Sequence, residues 1–444
     1  MVDNVKIYAP LTRDANLKSI DSPVMPFPAG NKPILVTLLN EGFQDLTSVT
    51  IKWSVNGIQQ TPYSWTGFLP LGAEQNNIAI GSYNFPAGLI KDFKVWVENP
   101  NGGSDQNRLN DTARATLAAA LCGIYTIGGA TPDYVNFSAA AFALNNAGIV
   151  CPVTFRVRNG SYNEQIKLYQ ILGSSSVNTI TFEGENGDSS LAELHYKASN
   201  PSNDFTLSLT GTDYITFRKL GIRRTNGTGN LIIQSGSHDV TAENCRLGNV
   251  TSPNTSCDSV LTFRNNNMTG FDINLQHPDA GSRAGRITVE GNYLNSLYIN
   301  NSRDVIVRDN RNRLDTSYYA VDFTIDRSST VLVEGNRMRR LYMNRDTSLS
   351  VLSNNIYENT YDDNIRGVLI NESRWGNVTG NTIRKYINGL PRGIEVIDSR
   401  SIVVANNHVS VRNYELCCGY WSMGVYLAGG SNRNVTVRGN TIFN

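Results

Sequence analysis

The chain has 444 residues and carries 39 Lys and Arg against 38 Asp and Glu, a formal net charge of +1. This balance argues against a nucleic-acid-binding surface, and no apolar run approaches the roughly 18 residues of a membrane span. A chain of this length exceeds what one hydrophobic core usually serves, so two or more folded units are expected.

The first hundred residues show the pattern of an antiparallel β domain. The segment SVTIKWSVNG is apolar at period two, through Val49, Ile51, Trp53 and Val55. Short strands of this kind, separated by turns such as NEG and FPAG, predict a β-sandwich over residues 1–104. The run N-x-G followed by W-x-V-N-G resembles immunoglobulin-like modules of bacterial surface proteins. The polar segment NPNGGSDQNRLND then predicts a linker over residues 105–120.

The six cysteines permit disulfides in an oxidising compartment. Cys122 and Cys151 flank one segment, and we expect this pair first among one or two disulfides. Buried free thiols are the alternative, because sequence alone does not fix connectivity. No Cys pair or His cluster has the spacing of zinc ligands, so neither a metal nor a cofactor is predicted. The remaining cysteines are Cys245, Cys257, Cys417 and Cys418.

A helix and then a repeat follow residue 120. Phe137, Ala141 and Leu144 recur at helical spacing before Gly148, which predicts a helix over residues 137–147. Further along, one pattern recurs: apolar, any, apolar, two polar residues, Asn, any, apolar. The copies ITVEGNYL and VLVEGNRM show it clearly. Its Asn positions form a column: Asn266, Asn292, Asn310, Asn336, Asn354, Asn381, Asn407 and Asn440.

The spacing of the Asn column identifies the kind of repeat. Successive members lie 26, 18, 26, 18, 27, 26 and 33 residues apart, and Cys245 takes the Asn place in an earlier copy. Such irregularity excludes ankyrin, propeller and leucine-rich arrays, and it suits a right-handed parallel β-helix over residues 121–444 with loops of variable length. Asn tolerates the left-handed conformation of a sharp corner, and stacked Asn side chains can form a hydrogen-bonded ladder. We therefore predict a structural role for this column.

A second recurring pattern reads small or turn residue, apolar, any, apolar, as in SLYI, RLYM and GVYL. The apolar pair points inward at period two, so the residue between them points outward. The outward series is Asp272, Tyr298, Asp322, Tyr342, Leu369, Glu395 and Tyr426.

This outward series predicts a glycan-binding strip. Turns stack ~4.8 Å apart, Tyr rings pack on sugar faces, and carboxylates accept hydrogen bonds from hydroxyl groups. Arg339, Arg340 and Arg392 flank the series and suit an acidic glycan. The alternative is that these residues serve only β-propensity and solubility.

The chain after residue 120 resembles the pectin-lyase-like right-handed β-helix superfamily. The resemblance is carried by NFSAAAFALNNAG, VTFRVRNGSYNEQI, NTITFEGENG and YITFRKLGIRR. It implies that residues 137–147 cap the N-terminal end of the solenoid. It does not imply an activity, because this fold hosts many functions. The motifs of pectin methylesterases and polygalacturonases are missing, and the DD pair Asp362–Asp363 stands without GHG or RIK.

These observations favour an exported bacterial surface protein that is adhesin-like or glycan-binding. Its expected partner is a polysaccharide or cell-surface glycan, and its expected location is extracellular. The start lacks the apolar core of a signal peptide, so the chain is expected to belong to a longer surface polypeptide. Two alternatives stay open: a polysaccharide lyase or glycoside hydrolase with a non-standard site, and a structural stalk or protein-binding module.

Overall fold

The computed structural model describes residues 11–197, 205–224, 230–234, 236–256, 260–276, 285–312, 322–359, 366–387, 390–413 and 422–443. Asp362, Asp363, Cys257, Cys417 and Cys418 lie outside the described residues. The chain divides into two compact units, one built mainly from residues 1–123 and the other mainly from residues 179–444. None of the helices in the described ranges has the length and apolar character needed to cross a bilayer.

The first unit contains two antiparallel sheets. One sheet orders the strands Ala15–Ser22, Gly30–Asn40 and Glu74–Phe85. The other orders Ile58–Gln59, Leu46–Val55, Ile90–Glu98 and Thr112–Ala118, and Tyr63–Leu69 also pairs with Leu46–Val55. A short 3-10 helix, Pro100–Gly102, follows the seventh strand.

Both sheets contribute to a single core, which makes this unit a β-sandwich. Val36 from the first sheet and Ile51 from the second are fully buried, and they belong to the same apolar cluster. Trp53 and Trp65 are only 3% exposed, so both belong to the core, where the period-two pattern places Trp53. Burying side chains of this kind contributes roughly 1.5–3 kcal/mol each.

The predicted linker over residues 105–120 is wrong. Thr112–Ala118 is a strand that pairs antiparallel with Ile90–Glu98. The Asp105 carboxylate accepts a hydrogen bond from the Ala15 amide at 2.8 Å, which ties the preceding polar segment to the first strand. The polar composition that suggested a linker instead supplies side-chain acceptors for backbone amides.

Residues around the predicted helix adopt the predicted structure. The helix Phe137–Ala147 begins where the Asn136 side chain accepts a hydrogen bond from the Ala139 amide at 2.9 Å. Phe137 stacks on Phe182 with ring centroids 6.0 Å apart. Cys122 and Cys151 form a disulfide, and Cys245 is a buried free thiol.

The second unit is a parallel β-helix, which confirms the predicted fold class. Each full turn contributes three strands in succession, and we call the three resulting surfaces face A, face B and face C. Face A contains Ile149–Val157, Ile180–Gly184, Ile215–Arg218, Val240–Glu243, Val260–Arg264, Arg286–Glu290, Arg303–Arg308, Ser329–Glu334, Thr347–Leu352, Arg374–Thr379, Arg400–Ala405 and Thr436–Arg438. Leu121–Ile127 lies at the edge of this sheet.

Faces B and C belong to one continuous sheet, because Arg246–Ser256 and Asn267–Gln276 run through both. Face B otherwise contains Gly160–Asn163, Ala192–Tyr196, Gly221–Arg224, Tyr293–Leu294, Arg311–Asn312, Arg337–Met338, Asn355–Asn359, Thr382–Ile387, His408–Asn413 and Thr441–Phe443. Face C otherwise contains Ile166–Leu168, Leu207–Thr210, Asn230–Gln234, Leu297–Asn300, Asp322–Asp326, Arg340–Asn344, Arg366–Asn371, Arg392–Ile397 and Met423–Ala428.

The Asn column lies at the corner between faces A and B, where it forms a ladder. The amide N–H of Asn310 donates to Asn336 Oδ1 at 2.9 Å. Asn310 Nδ2 donates to the same oxygen at 2.9 Å and to the Val289 carbonyl at 2.8 Å. Members from Asn266 to Asn407 are at most 1% exposed. Each side chain therefore satisfies backbone groups of neighbouring turns that no water reaches.

The left-handed conformation expected of the ladder Asn residues belongs instead to the residue before each one. This correction has a geometric reason: the ladder side chain must face the interior, while the residue that reverses the chain projects outward. The preceding positions with positive φ are Asn265, Gly291, Asp309, Gly335, Ser353, Gly380, Asn406 and Gly439.

A second ladder, which the sequence patterns do not predict, lies at the corner between faces C and A. The backbone N–H of Ser328 donates to Asp346 Oδ1 at 2.7 Å, and the N–H of Asp346 donates to Ser373 Oγ at 3.1 Å. The fully buried members are Ser302, Ser328, Asp346, Ser373 and Ser399. Small polar side chains thus replace Asn at this corner.

Candidate ligand-binding site on face C

The strand register corrects one member of the predicted outward strip. Tyr298 pairs with Thr324, and Thr324 pairs with Tyr342, so Thr324 occupies the outward position in that turn. Asp322 lies two residues earlier and pairs with Arg340. The error arose because AVDF matched the apolar pattern, whereas the inward pair of this turn is Phe323 and Ile325.

The other outward residues differ in exposure. Asp272 is exposed, whereas Tyr298, Tyr342 and Tyr426 are only partly accessible. Burial raises the pKa of the Tyr342 hydroxyl above its usual value, and the same cause raises that of Tyr298. Leu369 is partly buried. The strip is therefore a half-buried surface and not a row of free side chains.

Glu395 contradicts the prediction of an accessible outward carboxylate, because it is only 1% exposed. The guanidinium groups of Arg366 and Arg392 both contact its carboxylate, one at each oxygen. The Arg392 guanidinium also lies over the Tyr426 ring, 4.4 Å from its centroid. We call Arg366, Arg392, Glu395 and Tyr426 the outer cluster.

The turns differ most at one register position, the residue directly before the first inward-facing residue of each face C strand. In three later turns this position is glycine, namely Gly367, Gly393 and Gly424. A Cβ atom on Gly393 would lie 2.2 Å from Val409 Cγ1 and 2.5 Å from the Gly424 carbonyl oxygen. The corner between faces B and C is therefore too tight for a side chain in those turns.

Two consecutive turns place charged residues at this same position, Asp322 and Arg340. The Arg340 side chain is buried, and its Nε donates to Asp322 Oδ1 at 3.0 Å. Arg339 adds bonds from Nε and Nη2 to the two Asp322 oxygens, each at 3.1 Å. Arg340 Nη1 reaches the Tyr342 hydroxyl at 3.4 Å. One carboxylate thus holds two guanidinium groups.

Face B contributes a buried ion pair to the same corner. Glu358 and Lys385 are adjacent in register at inward positions, and their charged groups are in contact with side chains 0% exposed. Arg339 Nη1 lies 3.5 Å from Glu358 Oε1, which links this pair to Asp322. In the next turn the equivalent inward residue is Val411. We call Asp322, Arg339, Arg340, Glu358 and Lys385 the inner cluster.

Burial lowers the pKa of the Lys385 ammonium to about 8, and the Glu358 carboxylate opposes that shift. Charges inside a β-helix cost free energy relative to apolar residues of similar volume. Perturbed ionisable groups of this kind cluster at functional sites more often than elsewhere. The inner cluster therefore marks this corner as the candidate site.

Of the residues predicted from the sequence patterns, Tyr342, Arg340, Arg392, Glu395 and Tyr426 lie in or beside the two clusters, and three members of the clusters were not predicted. Glu358, Arg366 and Lys385 were not expected there. The signal for two of them is present in NIYEN and TIRKYI, where period two places a charge at an inward position. Asp272 and Tyr298 lie on face C in earlier turns and outside both clusters.

Comparisons with known proteins give no family. No family model matches the chain, and no curated protein matches it. The catalytic domain of a GH87 alpha-1,3-glucanase in complex with nigerose is similar, with 11% identity, 97% of this chain and 96% of that chain covered, and a TM-score of 0.27. A Yersinia enterocolitica family 28 exopolygalacturonase shows 10% identity, coverages of 95% and 99%, and a TM-score of 0.26.

A CARDB domain from Pyrococcus furiosus, solved in complex with di-metal ions, covers 26% of this chain and 100% of its own length. Its identity is 15% and its TM-score 0.22. At TM-scores this low, the assignment of a parallel β-helix rests on the observed strand pairing alone.

Proposed function

We propose that this protein binds an acidic polysaccharide on face C, at the corner formed by the inner and outer clusters. The observation that supports this most directly is the outer cluster, where two guanidinium groups share one carboxylate beside an aromatic ring. Arg366, Arg392 and Glu395 together carry a formal charge of +1. An Arg fork recognises carboxylate or sulfate groups, and the Tyr426 ring offers a face for a sugar.

Hydrolysis by a pair of carboxylates has less support at this site. Glycosidases need two carboxyl groups that reach the sugar, one as acid and one as base or nucleophile. Glu358 and Glu395 are 2% and 1% exposed, and each is held by basic side chains. Asp322 is the more accessible acid of the two clusters, with a side chain 33% exposed.

A second candidate function is cleavage of the bound polysaccharide. The observation in its favour is the inner cluster, whose buried charges stand where other turns carry glycine or valine. Burying those charges costs free energy that a purely structural turn would avoid. Chromatography of products after incubation with acidic polysaccharides separates binding from cleavage. New oligosaccharides would identify an enzyme, and unchanged polymer would identify a binding protein.

An exported surface protein is the cellular context that we propose for this binding. The Cys122–Cys151 disulfide supports an oxidising compartment. The N-terminal β-sandwich suits an immunoglobulin-like spacer that presents the β-helix, as in an adhesin. Mass spectrometry of the protein from its native source, with and without alkylation under non-reducing conditions, tests whether this bridge is present.

Affinity electrophoresis tests the binding site. Migration of the wild type in gels containing polygalacturonate, with dextran as the neutral polymer, gives an apparent Kd. We expect retention by polygalacturonate, weakened by added salt because exposed charges are screened. The double variant Arg366→Gln, Tyr426→Ala should raise the Kd roughly tenfold, the effect of losing about 1.4 kcal/mol of contact energy.

The matched control is Tyr357→Ala, which removes a Tyr that is 43% exposed on face B. This variant should bind like the wild type. Equal retention of the wild type and the Arg366→Gln, Tyr426→Ala variant would reject the outer cluster as the binding site.

A further inference from the structure

A groove of about 520 Å³ lies at the opposite end of the face C strands, at the corner between faces C and A. The residues that line it are polar or charged, and they include Arg345, Thr347, Glu372, Arg374, Asp398 and Arg400. Arg345 is occupied by Asp326, which it contacts through two nitrogens at 3.0 and 3.2 Å. Neither cluster of the proposed site contributes to this groove.

Two arginines of the groove differ from those of face C in their partners. Arg374 and Arg400 are adjacent in register and exposed, and within the described part of the chain neither makes a salt bridge. Turns stack ~4.8 Å apart, so the backbone positions that carry the two arginine side chains are separated by that distance. Their geometry suits an anionic group that bridges two turns.

The residue after Arg374 is the second observation that points to a ligand. Trp375 is 61% exposed and has φ of 54°. The same register position carries Ser348 in the turn before and Ser401 in the turn after, with φ of 53° and 54°. A left-handed corner favours small polar residues, and a bulky aromatic side chain there is an outlier.

The exposure of Trp375 makes a packing role a poor explanation. Trp is usually well buried, and here the side chain is mostly in water at a position where serine satisfies the fold. The neighbouring turns carry only the small residues Ser348 and Ser401 at this register position. An exposed indole that directly follows a groove-lining arginine in the chain offers a ring face on which a sugar can stack.

We infer that Trp375, Arg374 and Arg400 form a second saccharide subsite, specific for sugars with a carboxylate or sulfate group. This inference rests on the proposed function, because the same strands join the two places. Arg366 opens a face C strand and Glu372 follows its end, a path of about 20 Å at roughly 3.3 Å per residue. An acidic oligosaccharide long enough to cross face C reaches both sites, and a short one occupies only the outer cluster.

The orientation of the ligand follows from this geometry. The sequence patterns suggested a glycan parallel to the solenoid axis, along the outward strip. The subsite instead favours a chain that runs along the strands, from the corner between faces B and C to the corner between faces C and A. Arg366 then lies at the start of one face C strand, and Trp375 lies shortly after the end of that strand.

Titration with oligogalacturonates of short and long length tests the inference, with Trp fluorescence and calorimetry as readouts. The variant Arg374→Gln, Trp375→Ser places serine at position 375, as the neighbouring turns do with Ser348 and Ser401, so it should fold as the wild type does. We expect long oligomers to quench wild-type fluorescence, and we expect the variant to lose that quenching and to bind them about tenfold more weakly. Short oligomers should bind the variant and the wild type equally.

The variants separate the two proposals. If Arg374→Gln, Trp375→Ser binds long oligomers like the wild type, the subsite is rejected and the outer cluster stands. If that variant loses binding while Arg366→Gln, Tyr426→Ala keeps it, the subsite stands and the outer cluster is rejected. Wild-type protein that binds no acidic oligosaccharide, sulfated ones included, would overturn both. Tyr357→Ala again serves as the matched aromatic control.

Discussion

The two corners that border face B both change the direction of the chain, but one uses the same residue type in each turn and the other does not. At the corner between faces A and B, turn after turn uses Asn, and each side-chain amide donates to a backbone carbonyl of a neighbouring turn. At the corner between faces B and C, two consecutive turns hold Asp322 and Arg340 at the register position where three later turns hold glycine. The uniform corner maintains the fold, and the irregular corner carries the proposed binding site.

The largest expected effect comes from breaking the uniform corner in its middle. Asn336→Ala removes bonds to the Val307 and Glu334 carbonyls and to Asn354, and it leaves the Asn310 amide without its acceptor. Each orphaned buried group costs about 1–3 kcal/mol, so the β-helix should lose about 3–5 kcal/mol. Urea denaturation followed by far-UV circular dichroism measures the loss.

The control for that variant is Asn440→Ala, at a partly exposed ladder position. It should cost less, because water can replace part of what the amide provides. Equal losses for the two substitutions would show that the ladder bonds are not the source of the stability.

A second prediction concerns the irregular corner. Lys385→Val leaves Glu358 buried without its main partner and should cost about 3–5 kcal/mol. Adding Glu358→Leu should restore most of the stability, since Val411 already occupies this register in the next turn. Recovery of stability with loss of polysaccharide binding would show that the pair serves function. Failure of the double variant to recover would show that the pair is structural.

The pH dependence of stability sharpens that test. Burial lowers the folded-state pKa of Lys385 from its usual value of 10.5 to about 8, so between these values the unfolded state holds more protons. Wild-type stability should therefore rise with pH through that window, relative to the Lys385→Val, Glu358→Leu variant. If the difference in unfolding free energy between the two proteins did not change with pH, the lowered pKa of the buried Lys385 would be contradicted.

The smallest predicted effect probes the glycine positions of the same corner. Gly393→Ala places a methyl group against Val409 and the Gly424 carbonyl, which should cost about 1–3 kcal/mol. Gly430→Ala is the matched control, because no atom lies within 4 Å of the added Cβ and its φ is not positive. Thermal melts of the two variants should differ by several degrees, and identical melts would show that the corner can open.

The sequence predicted most where one residue type repeats for one reason. Asn336 and its column could be found because the ladder requires an amide in every turn. Asp322 was placed two residues out of register, since an apolar pair in AVDF imitates the inward pair that Phe323 and Ile325 form. Glu395 was expected to be accessible, because alternation gives the direction of a side chain but not whether Arg366 and Arg392 cover it.

The ladder between faces A and B also couples each turn of the solenoid to the next. The backbone N–H of each Asn donates to the side-chain oxygen of the Asn in the following turn, as from Asn292 to Asn310 and from Asn310 to Asn336. The hydrogen bonds of one turn are therefore completed by the next turn, which couples nearest neighbours in a one-dimensional series. In such a series folding can begin at any turn and propagate, and an interior turn is held by two neighbours where an end turn is held by one.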